Sequence, residues 1–186
     1  MLNVLSKKKF VPVSCVLYGL SIMWLTSVMS VRIFPVPMTM QTCGVQVIAF
    51  LMSPVQAFYA VGSWLMAGAV GVPCFEGGKC GIDALFGPSS GYFLGMLLSA
   101  PLMSFLMRKY RNQNAGFLPN ASFQTLFSVG FLGVILVLSM GYIFLSMFLG
   151  AHKAWCVGVK PFFLTDVLKA VFGTLLMKGL MTLREK

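Results

Sequence analysis

The chain has 186 residues, of which 58% are hydrophobic and only 10% are charged, with a net charge of +10. Soluble domains carry about 25% charged residues, so this chain has too few polar side chains to cover a water-soluble globule. The composition excludes a disordered segment and a soluble enzyme, and it predicts a single integral-membrane domain over residues 1–186.

The first apolar stretch predicts a transmembrane helix over about 10–31, directly after Lys7-Lys8-Lys9. At ~22 residues it exceeds the apolar region of a secretory signal, about 7 to 15 residues, and no A-x-A-like cleavage site ends it. Two short apolar stretches follow over about 39–52 and 55–70, separated by the turn Ser53-Pro54. Each reaches only roughly 21 to 24 Å as a helix, less than the ~30 Å hydrocarbon core, which favours a compact helical bundle.

A glycine-rich loop without helical periodicity is predicted over 71–87. Three further helices are predicted over about 88–107, 122–150 and 161–181. The sequence therefore predicts an all-α membrane protein with six transmembrane helices and both termini on the same side. Gly87, Gly91 and Gly95 repeat at four-residue intervals, a spacing typical of close helix packing.

The basic residues predict which side carries the termini. Cytoplasmic loops carry an excess of lysine and arginine, so the richer side is expected to be the cytoplasmic one. Placing the N-terminus in the cytoplasm puts nine basic residues inside: Lys7, Lys8, Lys9, Arg108, Lys109, Arg111, Lys178, Arg184 and Lys186. Four lie outside: Arg32, Lys79, Lys153 and Lys160. We expect a multi-pass protein of the cytoplasmic membrane with no nucleic-acid partner.

Two motifs resemble enzyme signatures without their required context. Gly87-Pro88-Ser89-Ser90-Gly91 matches G-x-S-x-G, but a nucleophile elbow needs a preceding strand and a histidine–acid pair. Gly78-Lys79 resembles the end of a P-loop, yet Pro73 replaces the first glycine. We expect no enzymatic activity, and an intramembrane hydrolase acting through Ser89 is kept as an alternative hypothesis.

The cysteines and the single histidine predict neither a metal nor a cofactor. The five cysteines form no C-x-x-C pair, and His152 has no metal-ligand spacing to any of them. Cys74 and Cys80 share the glycine-rich loop, so they would form a disulfide if an oxidising compartment favoured it and remain free thiols otherwise.

Two ionisable residues interrupt the last apolar helix. Asp166 and Lys169 lie three residues apart and hence on one helix face. Because an ionisable group at the bilayer centre costs ~2.5 to 3.5 kcal/mol, such residues mark a functional site by default. The alternative is a mutually neutralised pair that only locks the helix. A carboxylate beside an ammonium suits a ligand with both N–H donors and an anionic group, as in a vitamin with a ureido ring and a carboxylate tail.

Other candidate residues lie at the same predicted outer ends of the helices. Gln41 would add an amide, or else hydrogen-bond the start of its own helix. Phe75, Tyr92 and Trp155 would form either an apolar lid over a ligand or an ordinary interfacial belt.

Four blocks in order resemble the BioY family, the biotin-binding substrate components of energy-coupling factor transporters. They are Pro35-Val36-Pro37-Met38-Thr39-Met40-Gln41-Thr42, Gly68-Ala69-Val70-Gly71-Val72-Pro73, Phe86-Gly87-Pro88-Ser89-Ser90-Gly91-Tyr92, and PFFLTDVLKA over 161–170. The resemblance implies a six-helix protein that captures biotin as its transported ligand and docks on a transmembrane coupling protein driven by two ATPase subunits.

The same resemblance carries roles to individual residues. Asp166 and Lys169 match the family's D-x-x-K, Gln41 matches its P-V-P-x-T-x-Q, and Tyr92 ends its G-P-T-G-G-Y. Glu76 stands where members often have an amide, and it could accept hydrogen bonds from the ureido N–H groups. Ser90 replaces a glycine of the third block.

The sequence leaves open the docking surface and two competing functions. The first helix has only Cys15-x-x-x-Gly19 where the family has the small-residue A-x-x-x-A used for docking. The competing functions are a structural or assembly membrane protein and a transporter of another carboxylate-bearing vitamin.

Overall fold

Serine, proline and glycine stand at several of the helix ends in this chain. The structure is a computed structural model that describes residues 13–31, 38–110 and 121–184. The helices in these ranges are α1 Val13–Val28, α2 Gln41–Leu51, α3 Pro54–Ala69, α4 Ile82–Phe86, α5 Ser90–Met107, α6 Phe123–Leu149, α7 Ala151–Ala154 and α8 Lys160–Arg184.

Serine caps set two of the helix starts. Before α3, Ser53 accepts a hydrogen bond from the backbone of Gln56, whose side chain accepts one in return from the Ser53 N–H at 3.0 Å. Pro54 occupies the first turn, where its missing N–H needs no partner. Ser122 caps α6 in the same way through the backbone N–H of Thr125. The tight turn between α2 and α3 therefore follows directly from Ser53-Pro54.

The segment predicted as a loop without helical periodicity contains two short helical pieces, so that prediction was wrong in part. A 3-10 turn covers Glu76–Gly78, and α4 follows Gly81, whose φ of 94° is unfavourable for any residue with a side chain. Asp83 lies in the first turn of α4, where a negative charge is favourable. A five-residue helix is too short to produce an apolar period that sequence analysis could detect.

The last helix also begins differently from its predicted start near residue 161. After Gly150 ends α6 with a φ of 79°, helical structure resumes at Ala151. It passes through a π-helical turn, Trp155–Val159, directly into α8. Two-residue strands, which the sequence did not predict, pair antiparallel before α2, with Ser30 opposite Thr39.

The long helices pack around α5 and α6. α5 contacts α2, α3 and α6, while α8 packs against α2 and α6, and α1 lies on α2 and α3. Gly95 allows the close approach of α5 to α6, because a Cβ there would lie 2.7 Å from the Cα of Val137. The predicted packing role of the small residues is thus confirmed at Gly95, and Gly91 meets the Met140 carbonyl in the same way.

Two helical stretches within the described ranges are long and apolar enough to cross a bilayer on their own. They are Ser90–Tyr110 and Phe123–Leu149, whereas α1 and α2 are apolar but shorter. The Lys7-Lys8-Lys9 triplet, Arg32, Arg111 and Lys186, used above to predict orientation, lie outside the described residues.

Candidate functional site

A cavity of about 60 Å³ lies where the first turns of α2 and α5 meet the first half of α8. The 3-10 turn of the glycine-rich segment closes one side of it. Five of the residues singled out from the sequence line this cavity: Gln41, Glu76, Tyr92, Asp166 and Lys169. Its other lining residues are Thr39, Thr42, Ser89, Phe93, Met96, Val137 and Phe162.

Asp166 and Lys169 form a buried ion pair in the cavity wall. Lys169 Nζ lies 2.6 Å from Asp166 Oδ1, and the two residues are only 9% and 3% exposed. Thr42 on α2 donates a further hydrogen bond to the same carboxylate oxygen at 3.1 Å. A carboxylate accepts several hydrogen bonds and an ammonium has three donors, so this pair retains hydrogen-bonding capacity toward a ligand.

Gln41 is held by protein contacts on both ends of its amide. Its Nε2 donates to Ser27 Oγ on α1 at 2.9 Å, and its Oε1 accepts from Thr39 Oγ1 at 3.0 Å. The sequence predicted that this amide would bind either a ligand or the backbone at the start of α2, whereas these two bonds are to the side chains of Ser27 and Thr39. Since the amide has two N–H donors and an oxygen with two lone pairs, it can still donate once and accept once toward the cavity.

Tyr92 reaches across the cavity from α5 to the π-helical turn. Its Oη donates to the Gly158 carbonyl at 2.7 Å, and its ring lies 6.2 Å from that of Phe162. The ring also fills the space over Gly141 on α6, where a Cβ would lie 2.5 Å from Tyr92 Cδ1. Tyr92 therefore contributes mainly an apolar surface to the cavity.

Beside the first cavity lies a second hollow of about 220 Å³. Glu76, Ser89 and Phe93 line both spaces, so these three residues form the boundary between them. Lys79 and Asp83 line only the second hollow. A ligand larger than the first cavity would therefore extend toward the glycine-rich segment and α4.

The glycine-rich segment is anchored through Cys74 and Phe75. Trp64 Nε1 donates to the Cys74 carbonyl at 2.9 Å, and the Phe75 ring stacks on Phe93 with centroids 5.0 Å apart. Gly68 makes room for that ring, because any Cβ there would overlap it. Phe75 thus lines the second hollow, whereas Trp155 packs on Tyr142 and lines neither space.

All five cysteines lie in the described residues, and each is a free thiol. Burial raises the pKa of the Cys74 thiol above its ordinary value. Cys80 and Cys156 are exposed.

The sequence did not single out the two threonines of the cavity. Thr39 and Thr42 stand three residues apart around Gln41, and this polar cluster at the start of an apolar helix was the available signal. Together the site offers a buried ion pair, an amide and hydroxyls opposite an apolar wall of Phe93, Met96, Val137 and Phe162. That arrangement suits a small ligand with one polar, hydrogen-bonding end and an apolar body.

Comparisons with known proteins identify the family and the fold of this chain. The model of the BioY family matches residues 5–186. Biotin transporter BioY2 of Lactococcus lactis subsp. cremoris is 29% identical over 182 residues, which cover 92% of this chain and 93% of that relative. A probable biotin transporter BioY of Pyrococcus horikoshii is 28% identical over 159 residues, covering 84% and 89%. The fold is similar to that of the S-component for biotin from an ECF-type ABC transporter, with a TM-score of 0.76, 23% identity and coverage of 91% and 92%.

Proposed function

We propose, from the premise that the chain belongs to the BioY family, that it is a biotin uptake protein and acts as the substrate-binding component of an ECF-type transporter. The observation that carries this proposal is the convergence of Gln41, Glu76, Tyr92, Asp166 and Lys169 on one cavity. These residues come from three helices and the 3-10 turn of the glycine-rich segment.

The ureido ring of biotin would lie against the ion pair. The ring has two N–H donors and one carbonyl acceptor, and Asp166 and Lys169 present the complementary acceptor and donor 2.6 Å apart. Both residues therefore serve the same end of the ligand, with Gln41 and Glu76 adding hydrogen-bonding groups around it. The thioether ring would pack on the apolar wall, and the carboxylate tail would extend toward the second hollow.

The protein would span the cytoplasmic membrane six times, through α1, α2, α3, α5, α6 and α8, as a single domain with both termini in the cytoplasm. The excess of basic residues counted from the sequence, nine against four, supports this orientation. Lys79, Lys153 and Lys160 belong to segments at the cavity end, whereas Arg108, Lys109 and Lys178 lie toward the opposite ends of α5 and α8. The cavity would then face outward, where an uptake protein meets its ligand.

The partners in this proposal are biotin, the lipid bilayer, a transmembrane coupling protein and two ATPase subunits. No chemical change of the ligand is required, so the protein would not be an enzyme. Gly19 of the Cys15-x-x-x-Gly19 pair has an internal role, because a Cβ on Gly19 would overlap Ala60 of α3. Docking on the coupling protein would therefore use another surface of the bundle.

Isothermal titration of the detergent-purified protein with biotin tests the proposal directly. We expect saturable binding and a biotin-dependent rise in the thermal midpoint, because a ligand that binds only the folded state stabilises it. If the folded protein does not bind biotin but binds another carboxylate-bearing vitamin, that vitamin is the ligand of the site. If the folded protein binds neither ligand, the role of the ion pair is purely structural.

A further inference from the structure

Below the cavity, the α2–α8 contact continues through a second polar side chain, Gln46. It is 2% exposed and lies four residues after Thr42, one helical turn further along α2. Its Nε2 donates to the Ala170 carbonyl and to Thr174 Oγ1, both on α8 and both at 3.2 Å. Gln46 does not line the cavity.

The two polar contacts between these helices have the same register. Thr42 pairs with Asp166 and Gln46 pairs with Ala170, and each pair is separated by 124 residues in sequence. Both partners advance by four residues, so α2 and α8 run in the same direction with their polar contacts one turn apart. A rotation or a slide of α8 relative to α2 would break both contacts together.

Glycines on two helices make room for the Gln46 amide. A Cβ on Gly173 would lie 2.6 Å from Gln46 Oε1, and one on Gly130 of α6 would lie 2.8 Å from Gln46 Cδ. The amide is therefore enclosed by α2, α6 and α8, with its N–H groups directed at α8. This enclosure restricts the side chain to the conformation that reaches Ala170, the residue directly after Lys169.

We infer that Gln46 is a positioning residue for the biotin site: it holds α8 in the register that places Asp166 and Lys169 beside Thr42 and in the cavity. The inference rests on the proposed function for its ligand, but the register itself does not depend on biotin. A parallel pair of helices with a single polar contact at Thr42 could still rotate about that contact. The second contact one turn below removes this freedom.

The test replaces Gln46 with methionine, which keeps an unbranched side chain of similar length and removes the hydrogen bonds. Two properties are measured in detergent: biotin affinity by titration, and the rate at which an amine-reactive acylating reagent modifies Lys169 in ligand-free protein, followed by mass spectrometry. Q46M is expected to weaken biotin binding about three- to thirty-fold, the range that interhelical hydrogen bonds contribute in membrane proteins. It is also expected to raise the Lys169 acylation rate several-fold.

Ser104→Ala is the matched control. Ser104 is equally buried and donates to the Met52 carbonyl, so this variant also removes a side-chain hydrogen bond between two helices, but far from the cavity. A merely structural loss should lower the thermal midpoint in both variants and leave Lys169 acylation unchanged in both. Equal acylation rates in Q46M and the wild type, or an equal rise in S104A, would overturn the inference.

A second variant keeps the test decisive if Q46M does not fold. Thr174→Val retains Gln46 and removes one of its two acceptors, so a smaller change in the same two properties is expected. If the wild-type protein fails to bind biotin while Lys169 acylation responds to Q46M, the proposed ligand is wrong and the register role stands. If the wild type binds biotin and neither property responds to Q46M or T174V, the ligand stands and the register role is wrong.

Discussion

The Gln41 amide donates to Ser27 Oγ at 2.9 Å, which connects α1 to a site that no residue of α1 lines. Ser27 is fully buried, and its hydroxyl donates a hydrogen bond to the Met23 carbonyl at 2.6 Å. The hydroxyl therefore has its oxygen free to accept from Gln41. This chain of hydrogen bonds fixes the amide at the start of α2 from the side opposite the cavity.

Ser27→Ala should weaken biotin binding without altering the cavity wall. The substitution removes the acceptor of the Gln41 N–H, and an ordinary hydrogen bond contributes about 0.5 to 1.5 kcal/mol, so we expect roughly a two- to ten-fold loss of affinity by titration. Ser21→Ala is the control, since Ser21 on the same helix bonds only to its own Leu17 carbonyl. Equal affinities in S27A and S21A would show that α1 does not support the site.

Asp166→Asn should weaken biotin binding by at least the ~1.5 to 3 kcal/mol expected of hydrogen bonds to a charged group. The carboxylate is the acceptor proposed for the ureido N–H groups, and asparagine keeps its size while removing its charge. Titration with biotin measures the change. Thr165→Val is a neighbouring control, because the Thr165 hydroxyl bonds only within α8. Unchanged affinity in D166N would refute the assignment.

Lys169→Met should destabilise the ligand-free protein more than the double variant D166N/K169M. Removing one partner of a buried pair leaves an uncompensated charge, which costs about 3 to 5 kcal/mol, whereas replacing both partners is often close to neutral. The thermal midpoint of the ligand-free protein should therefore be higher in the double variant than in K169M. Biotin binding should not recover, and if it does, the pair has only a structural role.

Thiol labelling of intact cells tests the proposed orientation. A membrane-impermeant maleimide should label Cys80 and Cys156, which are exposed in segments at the cavity end of the bundle. Cys74 should stay unlabelled, because it is buried and its raised pKa keeps it in the unreactive thiol form.

A cysteine introduced at Lys109, at the other end of α5, should react only after the cells are opened. Labelling of K109C in intact cells would show that the orientation is the reverse of the one proposed. As a control, K109C is labelled in detergent, which shows whether the introduced thiol can react with the maleimide at all.

Asp166 and Lys169 were identified because they are charged where their surroundings are apolar, whereas Glu76 and Tyr92 received their site roles from the family resemblance. Asp166 and Lys169 interrupt a helix that is otherwise apolar over that stretch, so their presence alone indicated a site. Gln41 stood out for the same reason, although its contacts with Ser27 and Thr39 did not follow from the sequence. Which helices approach one another depends on packing, and no local pattern records it.

Thr42 and Gln46 show the limit most clearly. Each is an ordinary residue of an apolar helix until α8 is placed beside it, and their partners lie 124 residues away in the chain. Gln46 is also a polar residue in an apolar stretch, but nothing near it in sequence identifies its partner on α8, and it was missed. Likewise α4 and the π-helical turn are too short to produce a period, so they were described as loop or omitted.

The π-helical turn before α8 amounts to one additional residue held within a single wide turn. Such a turn absorbs its extra residue locally, and the helices on either side keep their relative rotation. The Gly158 carbonyl in this turn accepts the hydrogen bond from Tyr92 Oη. Shortening Trp155–Val159 by one residue would thus leave Asp166 facing the cavity and deprive Tyr92 of its acceptor. The chain can be one residue shorter there without changing the phase of the helix that carries the ion pair.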